Sequence, residues 1–169
     1  PSRDRCHAVL EAQQPSMTLV LDNTVLSNFA LVHRSDLLQH FASEGLVTTD
    51  ATWREFEVGM ASGRVPHADW SWLAVLSLQD EEQTFARSWL PGLGAGEATC
   101  IALAFSRHYR VVTDDRLARR AARRLGVPMT GTLGLLTALV DEHVLALAEG
   151  NEILHQMIGH GYRCPVEHL

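Results

Sequence analysis

A chain of 169 residues, 46% hydrophobic and 20% charged, has the length and balance to bury the core of one globular domain. A net charge of −6 excludes an indiscriminate polyanion binder, and no apolar run approaches a membrane span or opens the chain as a signal peptide. Three cysteines (Cys6, Cys100 and Cys164), without CxxC or zinc-type spacing, argue against a disulfide framework and predict a reducing, cytoplasmic compartment.

Residues 1–16 lack a strand pattern and end in the breaker pair Pro15–Ser16, so an upstream extension is expected there, partly helical from Arg5 to Gln13. The domain itself is expected over residues 17–169. Met17–Leu21 reads as the first strand, Thr24–Leu31 as a short helix, and Ser35–Ala42 as a second helix capped by Ser35. Leu46–Thr48 follows as a strand, Asp50–Ala61 as a helix, Gly63–Pro66 as a loop and Trp72–Leu78 as a short strand or extended run. Asp80–Leu90 is expected to be helical and Pro91–Gly96 a turn. Glu97 then opens the Ala-rich run Ala98–Phe105, apolar nearly all round and so a buried helix. The buried strand Tyr109–Thr113, an arginine-rich helix stopped by Gly126 and Pro128, and a last short strand Val127–Thr130 come next. Thr132–Val144 and Glu149–Ile158 close the chain as helices. Strands alternating with helices, with no internal repeat, predict a three-layer α/β/α domain around a central, mainly parallel sheet.

In such a sheet the C-terminal ends of the strands share one edge, where ligands bind. Asp22 stands where the first strand stops, Asp114 and Asp115 follow the Tyr109–Thr113 strand, and Glu97 lies in the first turn of the buried helix. Each acid has an ordinary explanation by itself. Asp22 and either Asp114 or Asp115 make good helix N-caps, Glu97 complements a helix dipole, and Glu55 completes a T-x-x-E capping box from Thr52. Periodicity even favours Glu57 over Glu55 on the face shared by Trp53, Phe56 and Met60. Together, however, the acids outnumber their basic neighbours. Arg107 and Arg110 lie toward the far ends of their elements, and Arg116 is one charge against three. Unpaired carboxylates at a core edge are costly, and a shared Mg²⁺ or Mn²⁺ ion balances them with hard oxygen ligands.

Five of the 14 basic residues fall within 116–124: Arg116, Arg119, Arg120, Arg123 and Arg124. At helical spacing they share one arc, opposite Leu117, Ala118, Ala121, Ala122 and Leu125. A solvated face and a phosphate-binding stripe explain this arc equally well. The chain has no lysine.

These residues also carry a family resemblance. Asp22–Asn23–Thr24 resembles the D-x-[ST] that ends the first strand of PIN domains, the small α/β fold of metal-dependent nucleases. Glu55–Phe56–Glu57–Val58–Gly59 resembles that family's E-[hydrophobic]-x-x-G helix, which selects Glu55 where periodicity does not. The run from Leu93 to Glu97 and on through Cys100–Ala104 resembles its central acid-bearing helix, and Thr113–Asp114–Asp115 its T-x-D motif. The run LGVPMTGTLGLL (125–136) is similar to a subgroup described as nucleic-acid-binding, with a toxin–antitoxin connection for some members. The resemblance implies a PIN-like fold and an endoribonuclease dependent on Mg²⁺ or Mn²⁺. It implies Asp22, Glu55, Glu97, Asp114 and Asp115 as the catalytic acids. Asp22, Glu97 and Asp115 would ligate the metal, with Glu55 and Asp114 ligating directly or through water. The T-x-D match favours Asp115, while the D-D pair leaves Asp114 open. Thr24 and Thr113 would support the acids as hydroxyls, Asn28 would face the cleft, and Arg116 and Arg120 would hold RNA phosphates.

Two other classes remain. A haloacid-dehalogenase-like phosphohydrolase also begins with an acid after its first strand, but it needs an Asp at the position of Thr24, and a lysine. A non-catalytic PIN-fold nucleic-acid-binding module would leave the acids without a reaction. The expected partners are RNA, an antitoxin protein and a second subunit, with no membrane. The homodimer expectation rests on the apolar face Ile153, Leu154, Met157 and Ile158, at least part of which is expected to meet a second subunit or an antitoxin segment.

Overall fold

The structure is a computed structural model describing residues 18–169. The expected upstream extension, its helix and Met17 lie outside the described residues. Five strands, β1 (Leu19–Leu21), β2 (Leu46–Thr49), β3 (Ala74–Leu76), β4 (Arg110–Val112) and β5 (Met129–Thr130), form one sheet in the order β3-β2-β1-β4-β5. Every pairing is parallel, with Val20 opposite both Val47 and Val111 and Leu21 opposite Val112. The helices are α1 (Asn23–Leu31), α2 (Ser35–Gln39), α3 (Asp50–Ala61), α4 (Asp80–Trp89), α5 (Ala95–Arg107), α6 (Arg116–Arg124), α7 (Thr132–Asp141) and α8 (Leu147–Gly159).

The period-two alternation of the strands divides the core in two. Leu19, Leu21, Leu46 and Val112 face a cluster built with α1, α2, α7 and α8. Val20, Val47 and Val111 face a second cluster built with α4, α5 and α6. Both faces of the sheet are covered, which is why its strands read as apolar runs and not as alternating ones. The expected three-layer α/β/α architecture is therefore the one observed. Strand order reverses direction between β1 and β4, so the switch point, where such sheets form a crevice, falls between Asp22 and Thr113–Asp115.

Several local expectations need correction. The N-cap of α2 is Arg34, not Ser35. The chain turns through His33 at φ 56°, Ser35 is already the first helical residue, and a 3-10 turn (His40–Glu44) replaces the expected last turn. The T-x-x-E capping box from Thr52 does not form. Thr49 is the N-cap of α3, its hydroxyl accepting the Thr52 N–H at 3.3 Å, which releases Glu55 from capping. Strand β3 shrinks to three residues because it is a partly exposed edge. The last two helices also shift, α7 ending at Asp141 and α8 starting at Leu147. Most of the apolar face of α8 is covered within this chain: Ile153, Leu154 and Met157 are buried in its own core, and of the four Ile158 is left exposed. On the arc of α6 opposite the arginines, Ala118, Ala121 and Ala122 are buried while Leu117 is 55% exposed.

Candidate active site

Asp22 lies at the centre of the switch point. It ends β1, caps α1, and is 1% exposed. Its Oδ1 accepts the Asn23 N–H at 2.7 Å, and its Oδ2 accepts the hydroxyls of Thr113 at 2.7 Å and Thr24 at 3.2 Å. Burial pushes its pKa up to about 6. The three hydrogen bonds oppose that shift, and the charge of Glu97 adds to it. None of the ion pairs among the described residues includes Asp22, Glu55, Glu97, Asp114 or Asp115.

Glu97 is half-buried in the first turn of α5, where its Oε2 accepts the Gly94 N–H at 2.9 Å in a capping arrangement. Its pKa is raised by burial, then by the charges of Asp115 and Glu55. Glu55 reaches across from α3 to accept the Gly96 N–H at 2.9 Å. A Cβ at Gly96 would stand 2.8 Å from the Glu55 carboxylate and 3.0 Å from the Thr52 hydroxyl, so this approach of α3 to α5 requires glycine. Asp115 caps α6, a single oxygen accepting the N–H groups of Leu117 at 2.7 Å and Ala118 at 2.8 Å. Glu55, Glu97 and Asp115 thus each keep one carboxylate oxygen with no hydrogen bond among the described residues.

Asp114 differs from its neighbour. Its Oδ2 accepts from the Thr132 hydroxyl at 2.6 Å and the Asn28 amide at 3.0 Å, and its Oδ1 from the Thr132 N–H at 2.9 Å and the Tyr162 hydroxyl at 3.4 Å. The structure therefore brings Asp22, Glu55, Glu97 and Asp115 into one electrostatic neighbourhood and turns Asp114 toward α1, α7 and the C-terminal segment. Asn28 points to Asp114 and Thr132, while Thr24 and Thr113 point to Asp22.

The arginine stripe is split. Arg119 is pinned, donating to the backbone carbonyls of Thr113 at 2.9 Å and Thr130 at 3.1 Å, where it ties β4 to β5. Arg116 is exposed beside Asp115, and Arg120, Arg123 and Arg124 line a cavity of about 540 Å³ with Leu117 and the turn at Leu90–Leu93. On the other side of that turn, Asp50, Arg54, Gln83, Arg87 and Thr99 line a second cavity of about 640 Å³.

Sequence reasoning missed the layer beneath Asp22. The Cys100 thiol donates to the Leu21 carbonyl at 3.4 Å and lies 3.1 Å from the Thr52 hydroxyl, and Thr49 contacts Thr99 at 2.7 Å. Burial, aided by the Asp22 charge, pushes the Cys100 thiol up to about 12, so it stays protonated. Only the clustering of Thr48, Thr49, Thr52 and Thr99 near apolar elements could have signalled this layer. Nothing in the sequence signalled Tyr162.

Four carboxylates without a cationic partner among the described residues, three of them (Glu55, Glu97 and Asp115) with one oxygen free of hydrogen bonds there, are of the hard-oxygen type that Mg²⁺ or Mn²⁺ takes. Among the described residues no three His, Cys, Asp or Glu side chains stand close enough together to ligate one ion. The donor chemistry therefore fits a hard cation while the spacing does not: the acids couple electrostatically over distances longer than shared coordination spans, and one ion would have to draw them together. By the family resemblance Asp22, Glu97 and Asp115 would hold such an ion, with Glu55 ligating directly or through water.

A sequence model of a PIN-domain family (DUF3368) matches residues 18–169. Among solved structures, PAE2754 from Pyrobaculum aerophilum superposes with a TM-score of 0.53 at 21% identity, over 76% of this chain and 94% of that one, a likeness of fold. No curated protein gives a significant match. Among the described residues no helix is long and apolar enough to cross a membrane.

Proposed function

This chain belongs to the PIN-domain family, whose members are generally nucleases that use divalent metals, and on that premise we propose that it is a Mg²⁺- or Mn²⁺-dependent endoribonuclease. The observation that carries the reading is Asp22: a buried carboxylate, raised to about 6, beside Glu97 and without any cationic partner among the described residues. When bound, a divalent ion supplies the missing positive charge and an activated water for hydrolysis of a phosphodiester. The protein groups hold the frame for that chemistry. Thr113 and Thr24 fix both the position and the orientation of Asp22, and the Gly94 and Gly96 N–H groups orient Glu97 and Glu55. The two N–H groups at the start of α6 hold Asp115 with one oxygen turned free. Arg116 lies beside Asp115, and Arg120 and Arg123 follow along the exposed side of α6, where they offer phosphate contacts.

The haloacid-dehalogenase reading loses its support once the family is known. The binding-module reading is separated from the nuclease by turnover. Purified protein should cleave RNA with Mg²⁺ or Mn²⁺ and stop with EDTA, and RNA binding without metal-dependent cleavage would decide for the module. A toxin role follows the same chemistry: expression should arrest growth, Asp22→Asn should relieve the arrest, and a specific protein partner should neutralise it. Self-association is part of this proposal, measured as mass by sedimentation at micromolar concentration. A chain that stays monomeric removes the homodimer.

A further inference from the structure

The run Thr130–Gly131–Thr132, inside the segment 125–136, has no role in the reading above, yet the structure uses it to saturate one carboxylate. A carboxylate offers about four lone-pair positions. At Asp114 the Thr132 N–H and hydroxyl, the Asn28 amide and the Tyr162 hydroxyl supply four donors. Gly131 is what lets the chain come so close, since a Cβ there would lie 2.5 Å from Asp114 Oδ1 and 3.1 Å from the Arg119 guanidinium. At Asp115 one oxygen takes two N–H groups and the other takes none. Two adjacent acids are thus treated in opposite ways.

The backbone of Thr113–Asp115 is fixed from both sides as a result. Thr113 donates its N–H to the Thr130 carbonyl at 3.1 Å, and Arg119 clamps the Thr113 carbonyl. The Asp114 N–H donates to the Thr24 hydroxyl at 3.4 Å, which itself donates to Asp22, and the Asp115 N–H donates to the Thr113 hydroxyl at 3.2 Å, which also donates to Asp22. Moving Asp114 therefore moves the groups that aim both Asp22 and Asp115.

We propose that Asp114 is a positioning residue and not a metal ligand: anchored by Thr132, Asn28 and Tyr162, it locks the strand end that presents Thr113 to Asp22 and leaves Asp115 one free oxygen. The inference rests on the nuclease reading for its kinetic consequence, but its structural consequence stands without it.

Three measurements on the whole chain test it. In metal-free protein, Asp114→Asn removes an acceptor from the Thr132 anchor. Hydrogen exchange at the Asp115, Leu117 and Ala118 amides should then accelerate about tenfold, with the amides of α5 unchanged. In Mn²⁺ titrations by calorimetry, Asp115→Asn should weaken binding by about tenfold or more, while Asp114→Asn stays within about threefold of the parent. In RNA cleavage, Asp114→Asn should lower kcat about tenfold or more with KM nearly unchanged, as misplacement of the groups that meet substrate does. Equal loss of Mn²⁺ affinity in both variants makes Asp114 a ligand and overturns the proposal. Unchanged exchange and unchanged kcat in Asp114→Asn overturn it as well. If the parent chain neither binds Mn²⁺ nor cleaves RNA, the nuclease reading falls and the exchange measurement alone decides the anchor. Should Asp114→Asn fail to fold, Thr132→Val against Thr132→Ser carries the test: Val should reproduce the faster exchange and Ser should restore protection, and identical exchange in the two sinks the anchor.

Discussion

Glu82 and Asp22 are both buried carboxylates, 5% and 1% exposed, and they sit in opposite electrostatic circumstances. Glu82, near the start of α4, receives two guanidinium hydrogen bonds from Arg107 at the end of α5, at 2.8 and 3.0 Å, and also the Gln79 N–H at 2.8 Å. Those partners hold its carboxyl below the usual range, Arg107 first among them. Asp22 has hydroxyls and one N–H but no cation, and burial drives its pKa the other way. The same cost of burying charge is answered inside the fold at Glu82 and left unanswered at Asp22. An acid of the first kind holds two helices together; one of the second kind marks where a positive charge from outside is wanted.

The contrast has measurable consequences. Asp22→Asn should lower metal-dependent RNA cleavage by about a hundredfold or more, the size of loss expected when a group stabilising a charged transition state goes. Glu82→Gln should leave cleavage per folded molecule untouched. Cleavage rates normalised to folded protein check both, and a large loss in Glu82→Gln alone would reverse the assignment of roles.

In stability the order inverts. Glu82→Gln should cost about 1.5–3 kcal/mol in urea unfolding at pH 7, since it weakens charge-assisted hydrogen bonds. Because the folded pKa of Glu82 is depressed, its stabilisation is fully present above the unfolded value near 4.5 and is lost as pH falls through the lower folded value. Parent and Glu82→Gln should therefore converge in acid. A difference that persists or grows there contradicts the ion pair.

Asp22→Asn should instead gain about 1–3 kcal/mol at pH 8 in EDTA, because it removes a buried charge that lacks a partner. With saturating Mg²⁺ the parent should recover most of that deficit, since a ligand bound only by the folded state stabilises it. Thermal melts with and without metal measure both effects; a variant less stable than the parent in EDTA would mean that Asp22 already has its counter-charge.

The smallest effect is expected at the exposed arginines. Arg120→Ala with Arg123→Ala should flatten the salt dependence of RNA binding by about two units. Folding stability should stay within about 0.5 kcal/mol. An unchanged salt slope would return these arginines to an ordinary solvated surface.

Much of this was legible in the sequence because parallel α/β sheets convert order along the chain into place in space. Apolar runs followed by acids put Asp22 and Asp115 at one edge, and the helix beginning at Ala95 carried Glu97 there. What stayed hidden depends on contacts between distant segments. Thr52 and Glu55 read as a local capping box until Thr49 took the cap and Gly96 drew Glu55 away. Asp114 and Asp115 are chemically identical neighbours, and only α1, α7 and Tyr162 distinguish them. Periodicity put Leu117 on the arc opposite the arginines because it counts angles around a helix; in the fold it lies over the cavity beside the Leu90–Leu93 turn and stays exposed. The face of α8 read as adhesive because an apolar stripe does not say whether its cover lies in the same chain, and for Ile153, Leu154 and Met157 it does.

The central place of β1 bears on how the protein is made. The pairing of β1 with β2 joins segments near the start of the domain, but its pairing with β4, and the Thr113 hydroxyl bond to Asp22, wait for a segment some ninety positions later, the bond itself spanning 91. Parallel pairings of such separation close slowly, since loop entropy is lost before the contact forms. A nascent chain that has emerged only as far as α5 has Asp22, Glu55 and Glu97 but neither Asp115 nor the clamp that aims Asp22. The acidic neighbourhood is thus completed only once β4 has paired with β1 and Thr113 has reached Asp22, so its assembly is tied to the slowest class of contact in the sheet.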